Sequence, residues 1–144
     1  MTRHRDEGGQ TALLLVGLAV VLVLLVGVTV DASAAYLRRQ GLDNLADGAA
    51  LAAADGVQGA QVYDGGLGDI ALIDPEVARG HVAAYLAATG AAREFPGLRA
   101  DVDAGTDRIV VTVSAPLDLP FTPPGWAGTP RIRSTAASYV VVTD

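Results

Sequence analysis

One stretch constrains the fold more than any other: residues 12–30 are 19 consecutive residues without a charged side chain. A helix of that length spans about 28 Å, close to a hydrocarbon core of roughly 30 Å. The stretch has no polar face, which a buried helix in so small a chain would show. We therefore predict a transmembrane helix over 12–30, after a charged tail at 1–11 and before an α+β domain at 31–144.

The charges flanking this segment do not set its orientation. Arg3 and Arg5 precede it, and Arg38 and Arg39 follow it. The positive-inside rule compares the number of basic residues on the two sides, and here the two numbers are equal. The short N-terminal tail against a long C-terminal part favours a cytoplasmic N-terminus. We expect a single-pass protein in contact with membrane lipid, with its C-terminal domain outside the cytoplasm.

A cleaved signal peptide is the main alternative to an anchor. Residues 32–34 read Ala-Ser-Ala, a pattern that signal peptidase can cut. The apolar region is longer than the usual 7–15 residues, and the helical pattern continues through the cut site. We therefore favour the uncut anchor.

The composition excludes several kinds of partner and site. The net charge is −6, every basic residue is Arg, and there is no Cys. An acidic domain repels phosphate backbones, so we expect no nucleic-acid partner. Without Cys there is no thiol catalysis, disulfide or Cys-based metal site.

Helical periodicity extends well beyond the apolar segment. Leu42, Leu45 and Ala49 recur at helical spacing, and no Pro interrupts the chain between 31 and 55. We predict one helix over about 11–55, ended by Gly56 as its C′ residue. The Gly-rich stretch at 57–73 is predicted to be a loop.

A short second helix follows this loop. Asp74 is a good N-cap, Pro75 suits the first helical position, and Glu76 places an acid in the first turn. The helix is predicted to stop at Gly90. Its predicted apolar face consists of Ala78, Val82, Tyr85 and Leu86.

The last third of the chain has the pattern of strands. Apolar and polar residues alternate over 98–102 and 109–113, and the turn between them, at 103–107, contains a glycine, which together predict a β-hairpin. Residues 116–130 hold five Pro and are predicted to form an irregular crossover before a last strand at about 132–142. The expected fold class is α+β: a long N-terminal helix, a short helix and a small antiparallel sheet of about three strands.

No motif for catalysis or cofactor binding stands out. Residues 101–107 resemble the start of a calcium loop, but the glycine is one position early and Thr112 stands where a bidentate Glu is needed. The Gly-rich run 65–69 resembles a single copy of a calcium-binding repeat with its Asp one residue early. His81 has no catalytic partner in sequence and is predicted to be a surface or edge residue. We expect no metal, cofactor, small-molecule substrate or enzymatic activity.

Two further features bear on partners. Residues 120–123 match a minimal PxxP pattern, with Phe121 and Trp126 nearby, and these rings more often cover a sheet edge than bind a partner. Small side chains allow helices to approach closely, although alanine is also simply a good helix former. Candidate helix-packing residues are Ala46, Ala49, Ala50 and Ala53.

The N-terminal third resembles a known family. A charged start precedes Gly8-Gly9-Gln10-Thr11, followed by the Leu/Val helix, Val30-Asp31-Ala32, Tyr36-Leu37-Arg38-Arg39, and the run from Leu42 to Ala54. This order is similar to the TadE/TadG-like proteins of Flp-type (tight adherence) pilus machinery. The resemblance implies an envelope-anchored, non-catalytic, pilin-like component that contacts other pilus or secretion-complex proteins.

The resemblance also implies a candidate processing site between Gly9 and Gln10. Prepilin-like members carry a Glu at the fifth position after the cut, where this chain has Leu14. We expect the N-terminus to remain uncut. The alternative to a pilin-like role is a membrane-tethered binding or sensor domain that uses the same anchor.

Overall fold

A computed structural model describes residues 7–64, 73–118 and 130–140. The first element, α1 (Glu7–Asp64), is a continuous helix of 58 residues. The structure divides into two compact units: α1 belongs to the first unit as far as Tyr36 and to the second from Leu37 onward.

In the first unit, α1 is apolar and uncovered. Its most apolar 18-residue window has a mean hydropathy of 3.1, and none of that window is buried. Leu13 is 75% exposed and Val23 is 71% exposed. By length and composition this helix can cross a membrane.

The end of α1 differs from the sequence-based prediction. Gly56 does not terminate the helix, and residues 57–64 are helical rather than part of a loop. The missing side chain of Gly56 instead leaves room for the ring of His81, which a Cβ at this position would overlap. The rest of the predicted loop, 65–72, lies outside the described residues.

The second helix begins where it was predicted to begin. In α2 (Pro75–Ala88) the Asp74 side chain accepts a hydrogen bond of 2.8 Å from the backbone N–H of Glu76. Thr89 caps its end, and Gly90 follows at φ +68°, a left-handed conformation that favours glycine. The one-turn helix α3 (Ala91–Glu94) comes next and was not predicted.

The three strands form one antiparallel sheet in the order β1-β2-β3. They are β1 (Arg99–Ala104), β2 (Arg108–Pro116) and β3 (Arg131–Tyr139). The predicted hairpin is confirmed, with Val102 opposite Val111. Most of the predicted crossover, 119–129, lies outside the described residues, as do the last residues assigned to the final strand.

The core of the second unit joins α1, α2 and the inner face of the sheet. β2 alternates strictly, with Ile109, Val111, Val113 and Ala115 all 0% exposed. From α1 the core takes one leucine-and-alanine face, and from α2 it takes Ala78 and Val82, as predicted. Tyr85 and Leu86 pack at its border. The predicted fold class, α+β with a long N-terminal helix and a small antiparallel sheet, is confirmed.

Candidate functional site

The alanine face of α1 is buried within its own unit. Ala46, Ala49 and Ala53 are 0% exposed, and Ala50 is 2% exposed. All four belong to the same core cluster as the central strand. Their packing against helices of other chains stays a prediction, and it requires the core to open because these side chains offer no free surface.

Three glycines of α1 receive three rings. A Cβ on Gly41 would stand 3.1 Å from Cζ of Phe95, and one on Gly48 would overlap the hydroxyl end of Tyr85. At Gly56 the overlapped ring is that of His81. The glycines lie seven and eight residues apart, which places them along one side of a helix with 3.6 residues per turn. This glycine groove is where α2 and the segment after α3 meet α1.

Arg38 lies near the end of this groove. Its Cζ is 5.9 Å from the centroid of the Phe95 ring, within the range of a cation–π interaction. Its Nη2 lies 3.9 Å from Oδ2 of Asp118, a loose ion pair in which the carboxylate is largely exposed to solvent. Its Nε is buried and has no hydrogen-bond partner among the described residues. The guanidinium therefore holds the Phe95 ring against α1 at the cost of one desolvated N–H.

The outer face of the sheet is mostly polar, exposed on β1 and β3 and half-buried on β2. Arg131 Nη2 donates to the carbonyl oxygens of Gly97 at 3.1 Å and Ser114 at 3.0 Å, which ties the start of β3 across β2 to the segment before β1. The Oγ1 atoms of Thr112 and Thr135 are 3.1 Å apart. Such cross-strand pairs stabilise the sheet without covering it.

The candidate metal loop is a strand and a turn. Asp101 and Asp103 are exposed residues of β1, and Asp107 is in the turn, where its carbonyl oxygen accepts a 2.9 Å hydrogen bond from the N–H of Val140. Within the described ranges no three His, Asp or Glu side chains converge on a common point. The expectation that the protein binds no metal stays a prediction.

The other residues that the sequence singled out lie on α1 and α2 or outside the described residues. His81 is exposed on α2, as expected, with its ring beside Gly56. Gly9 and Gln10 are exposed residues near the start of α1, and 32–34 lie inside the same helix. Whether the chain is cut at either point stays a prediction. The Gly-rich run 65–69 and the segment 120–126 lie outside the described residues.

Sequence reasoning identified Gly41 and Gly48 as flat surface for a neighbour, but it missed the part of Gly56 in this groove, the rings that fill it and the arginine that lies beside it. The spacing of Gly41, Gly48 and Gly56 was visible, and near-heptad glycines on an otherwise good helix indicate a close neighbour. No local pattern indicates that Arg38 rather than Arg39 turns inward, because that depends on where Phe95 packs.

Comparison with known protein families identifies a match in the N-terminal part of the chain. Residues 9–56 match the family model described as putative Flp pilus-assembly TadE/G-like. This range covers the apolar half of α1 and most of its domain half, including the alanine face and the glycine groove. No curated protein and no solved structure matches the chain.

Proposed function

We propose that the protein is a membrane-anchored, non-enzymatic, pilin-like component of a Flp-type pilus or a related secretion complex. The single observation that carries the proposal is the family match over residues 9–56. The resemblance noted in the sequence covers the same part of the chain. A match that suggests a Flp pilus-assembly component therefore coincides with the helix that can span a membrane.

In this proposal, residues 12–30 lie in the lipid bilayer. The N-terminal tail is cytoplasmic, and residues 31–144 form the extracytoplasmic domain. The uncovered Leu and Val side chains of the first unit support a lipid environment, since exposure of so much contiguous apolar surface to water is unfavourable. The Gly9–Gln10 bond stays intact, and the helix remains the anchor. Partners are other pilus or secretion-complex proteins that contact the long helix.

A second candidate function is a membrane-tethered binding or sensor domain. One observation favours it: the family match stops at residue 56 and leaves α2, α3 and the whole sheet unmatched. In this case the anchor serves only to hold the domain at the membrane.

A deletion strain with two complementing genes separates the two candidates. We expect deletion to reduce the number of Flp-type pili on the native cell, and the unaltered gene to restore it. In the second gene, residues 12–30 are replaced by an unrelated apolar helix of equal length. If the helix contacts pilus partners, the gene with the replaced helix fails to restore piliation. If the helix only tethers the domain, that gene restores piliation as well as the unaltered gene does. Normal piliation of the deletion strain contradicts the pilus assignment.

A further inference from the structure

A short stretch of α1 separates its apolar half from the core of the second unit. None of residues 31–41, all of which the structure describes, belongs to the core cluster, which begins on α1 at Leu42. Within this stretch Tyr36 is 67% exposed and Leu37 is 65% exposed, and Arg39 is exposed on the same turn. We call Tyr36, Leu37 and Arg39 the collar of α1.

The collar has no partner in its own domain. Leu37 is uncovered although the core begins at Leu42 on the same helix. Arg39 forms no ion pair with a described residue. The nearest carboxylate on its side of the helix belongs to Asp43, which is half-buried one turn further from the apolar half. The leucine and the arginine are therefore both free to meet a surface outside the domain.

Distances along α1 place the collar at the surface of a bilayer that holds residues 12–30. The headgroup layer extends about 5–7 Å beyond the hydrocarbon on each side. Asp31 ends the uncharged run, and its charge belongs in that hydrated layer rather than in hydrocarbon. The Cα of Tyr36 lies about 9 Å past that of Val30, and the Cα of Arg39 lies about 14 Å past it.

The direction of helical side chains brings the collar back to the headgroups. In an α-helix the Cα–Cβ bond tilts toward the N-terminus, and long side chains extend over the preceding turn. The apolar half of α1 is N-terminal to the collar, so the phenol of Tyr36 and the guanidinium of Arg39 extend toward the bilayer. The same residues placed before the apolar half would extend away from it.

The turn before the collar needs no water. Ser33 Oγ donates to the carbonyl oxygen of Thr29 at 2.8 Å, and Thr29 Oγ1 donates to that of Leu25 at 2.8 Å. Each hydroxyl is therefore satisfied within the helix and can face lipid at little cost. Ser33 and Ala32 lie three and four residues before Tyr36, so only small side chains stand under its ring.

We propose that the collar binds the phospholipid headgroups of the leaflet nearer the domain and so fixes the depth of α1 in the membrane. The ring of Tyr36 lies at the level of the headgroups with its hydroxyl toward water, as tyrosine does at membrane interfaces. Leu37 is covered by lipid, and Arg39 donates to a lipid phosphate. The inference rests on the proposed function only in requiring that residues 12–30 span a bilayer; it requires no pilus and holds for either topology.

Phospholipid is the occupant because the collar directly continues a surface that the proposed function places in lipid. Large side chains are exposed along the run from Leu13 to Val30, and Tyr36 follows within about two turns. Leu51 provides the contrast. It is 57% exposed on the same helix, but its Cα lies about 32 Å past that of Val30, beyond the reach of any headgroup. We therefore assign Leu37 to lipid and not Leu51.

Tryptophan quenching by spin-labelled lipids measures the depth of the collar in the full chain. Trp126→Phe first removes the only tryptophan. Leu24→Trp, Tyr36→Trp and Leu51→Trp are then made singly and placed in vesicles of phosphatidylcholine and phosphatidylglycerol. One set of vesicles carries the spin label on the headgroup, and another carries it near the middle of the acyl chain. The headgroup label should quench Tyr36→Trp about twofold more than the acyl label does.

The three positions separate this inference from the proposed function. Leu24→Trp should be quenched mainly by the acyl label, and its absence there removes the membrane span itself. Normal quenching at 24 without a preference for the headgroup label at 36 overturns the collar alone, whether water or another chain covers the ring. Leu51→Trp should be quenched by neither label. Equal headgroup quenching at 36 and 51 also overturns the proposal, because the whole domain would then lie on the membrane.

Charge reversal tests the phosphate contact. In the Tyr36→Trp chain, Arg39→Glu should lower headgroup quenching about twofold or more, since an acid is repelled by anionic lipid, whereas Arg39→Lys should retain it. Arg99→Glu makes the same reversal at an exposed arginine of the sheet and should change nothing. Both positions are exposed, so the urea midpoint of the domain should stay constant in all three variants. Equal quenching in Arg39→Glu and Arg39→Lys contradicts a contact between Arg39 and lipid phosphate.

Discussion

The two halves of α1 use apolar residues in opposite ways. In the first unit the large side chains are exposed, and Leu24 has 64% of its surface free. In the second unit Leu42 on the same helix is 0% exposed, and the most deeply buried positions around it are alanines. Large side chains maximise contact with a lipid solvent, whereas small ones let a sheet and a second helix approach the backbone. The residue sizes on α1 therefore follow the surroundings of each half.

The largest effect is expected from charges in the first half. On the proposal that residues 12–30 lie in lipid, Leu18→Arg with Leu24→Arg should cost about 5–7 kcal/mol of insertion free energy, at about 2.5–3.5 per arginine near the bilayer centre. Most of the protein should then leave the membrane fraction, as measured by carbonate extraction. The matched control, Leu18→Ala with Leu24→Ala, should stay in it. Retention of the double-arginine variant in the membrane argues against a spanning helix.

The second-largest effect is expected when a leucine in the domain half of α1 is truncated, in comparison with a leucine in the apolar half. Leu42→Ala removes a fully buried side chain and should lower the free energy of unfolding of the domain by about 2–5 kcal/mol. Leu22→Ala, at a position that is 52% exposed, should leave that free energy unchanged. Pulse proteolysis in urea, applied to the membrane-inserted protein, measures both. Equal effects of the two substitutions contradict the division of α1 into two environments.

Overpacking the alanine face should have a smaller effect. Ala49→Leu adds volume to a filled core and should destabilise the domain by about 1–3 kcal/mol. Ala19→Leu, on the uncovered half, is the control and should leave the domain unaffected. The same urea series decides between internal and external roles of the alanines. An unchanged midpoint for Ala49→Leu, together with lost contacts to partner chains, supports packing against other helices.

The sequence predicted the elements better than their contacts. Alternation and caps located the hairpin and the start of α2, because those signals are local: β2 shows period 2, and Asp74-Pro75-Glu76 is a helix start in itself. The predicted end of α1 was wrong. Gly56 was expected to end the helix because glycine adopts the left-handed conformation of a C′ residue, whereas in the structure its missing side chain makes room for His81. The environment of Arg38 could not be predicted, since Phe95 is 57 residues away in sequence.

The smallest effect tests that use of glycine. Gly48→Ala gains up to about 1 kcal/mol of helix propensity but places a Cβ on Tyr85. The clash should outweigh the gain and leave the domain about 1 kcal/mol less stable. Gly59→Ala, which meets nothing within 4 Å, should instead raise stability by about 0.5–1 kcal/mol. A stabilising Gly48→Ala, measured by the urea midpoint, contradicts the glycine groove.

The central claim is that the first half of α1 spans the membrane and the second half lies outside the cytoplasm. Its most direct test is the accessibility of single positions along α1, in a chain that has no Cys of its own. Single cysteines are placed at 20 and 24 in the apolar half and at 51 and 59 in the domain half, and intact cells are treated with a membrane-impermeant maleimide. We predict no labelling at 20 and 24, even after permeabilisation, because those thiols lie in lipid. Positions 51 and 59 should be labelled without permeabilisation. Labelling at 20 and 24 equal to that at 51 would contradict a membrane-spanning helix, and labelling at 51 only after permeabilisation would reverse the topology.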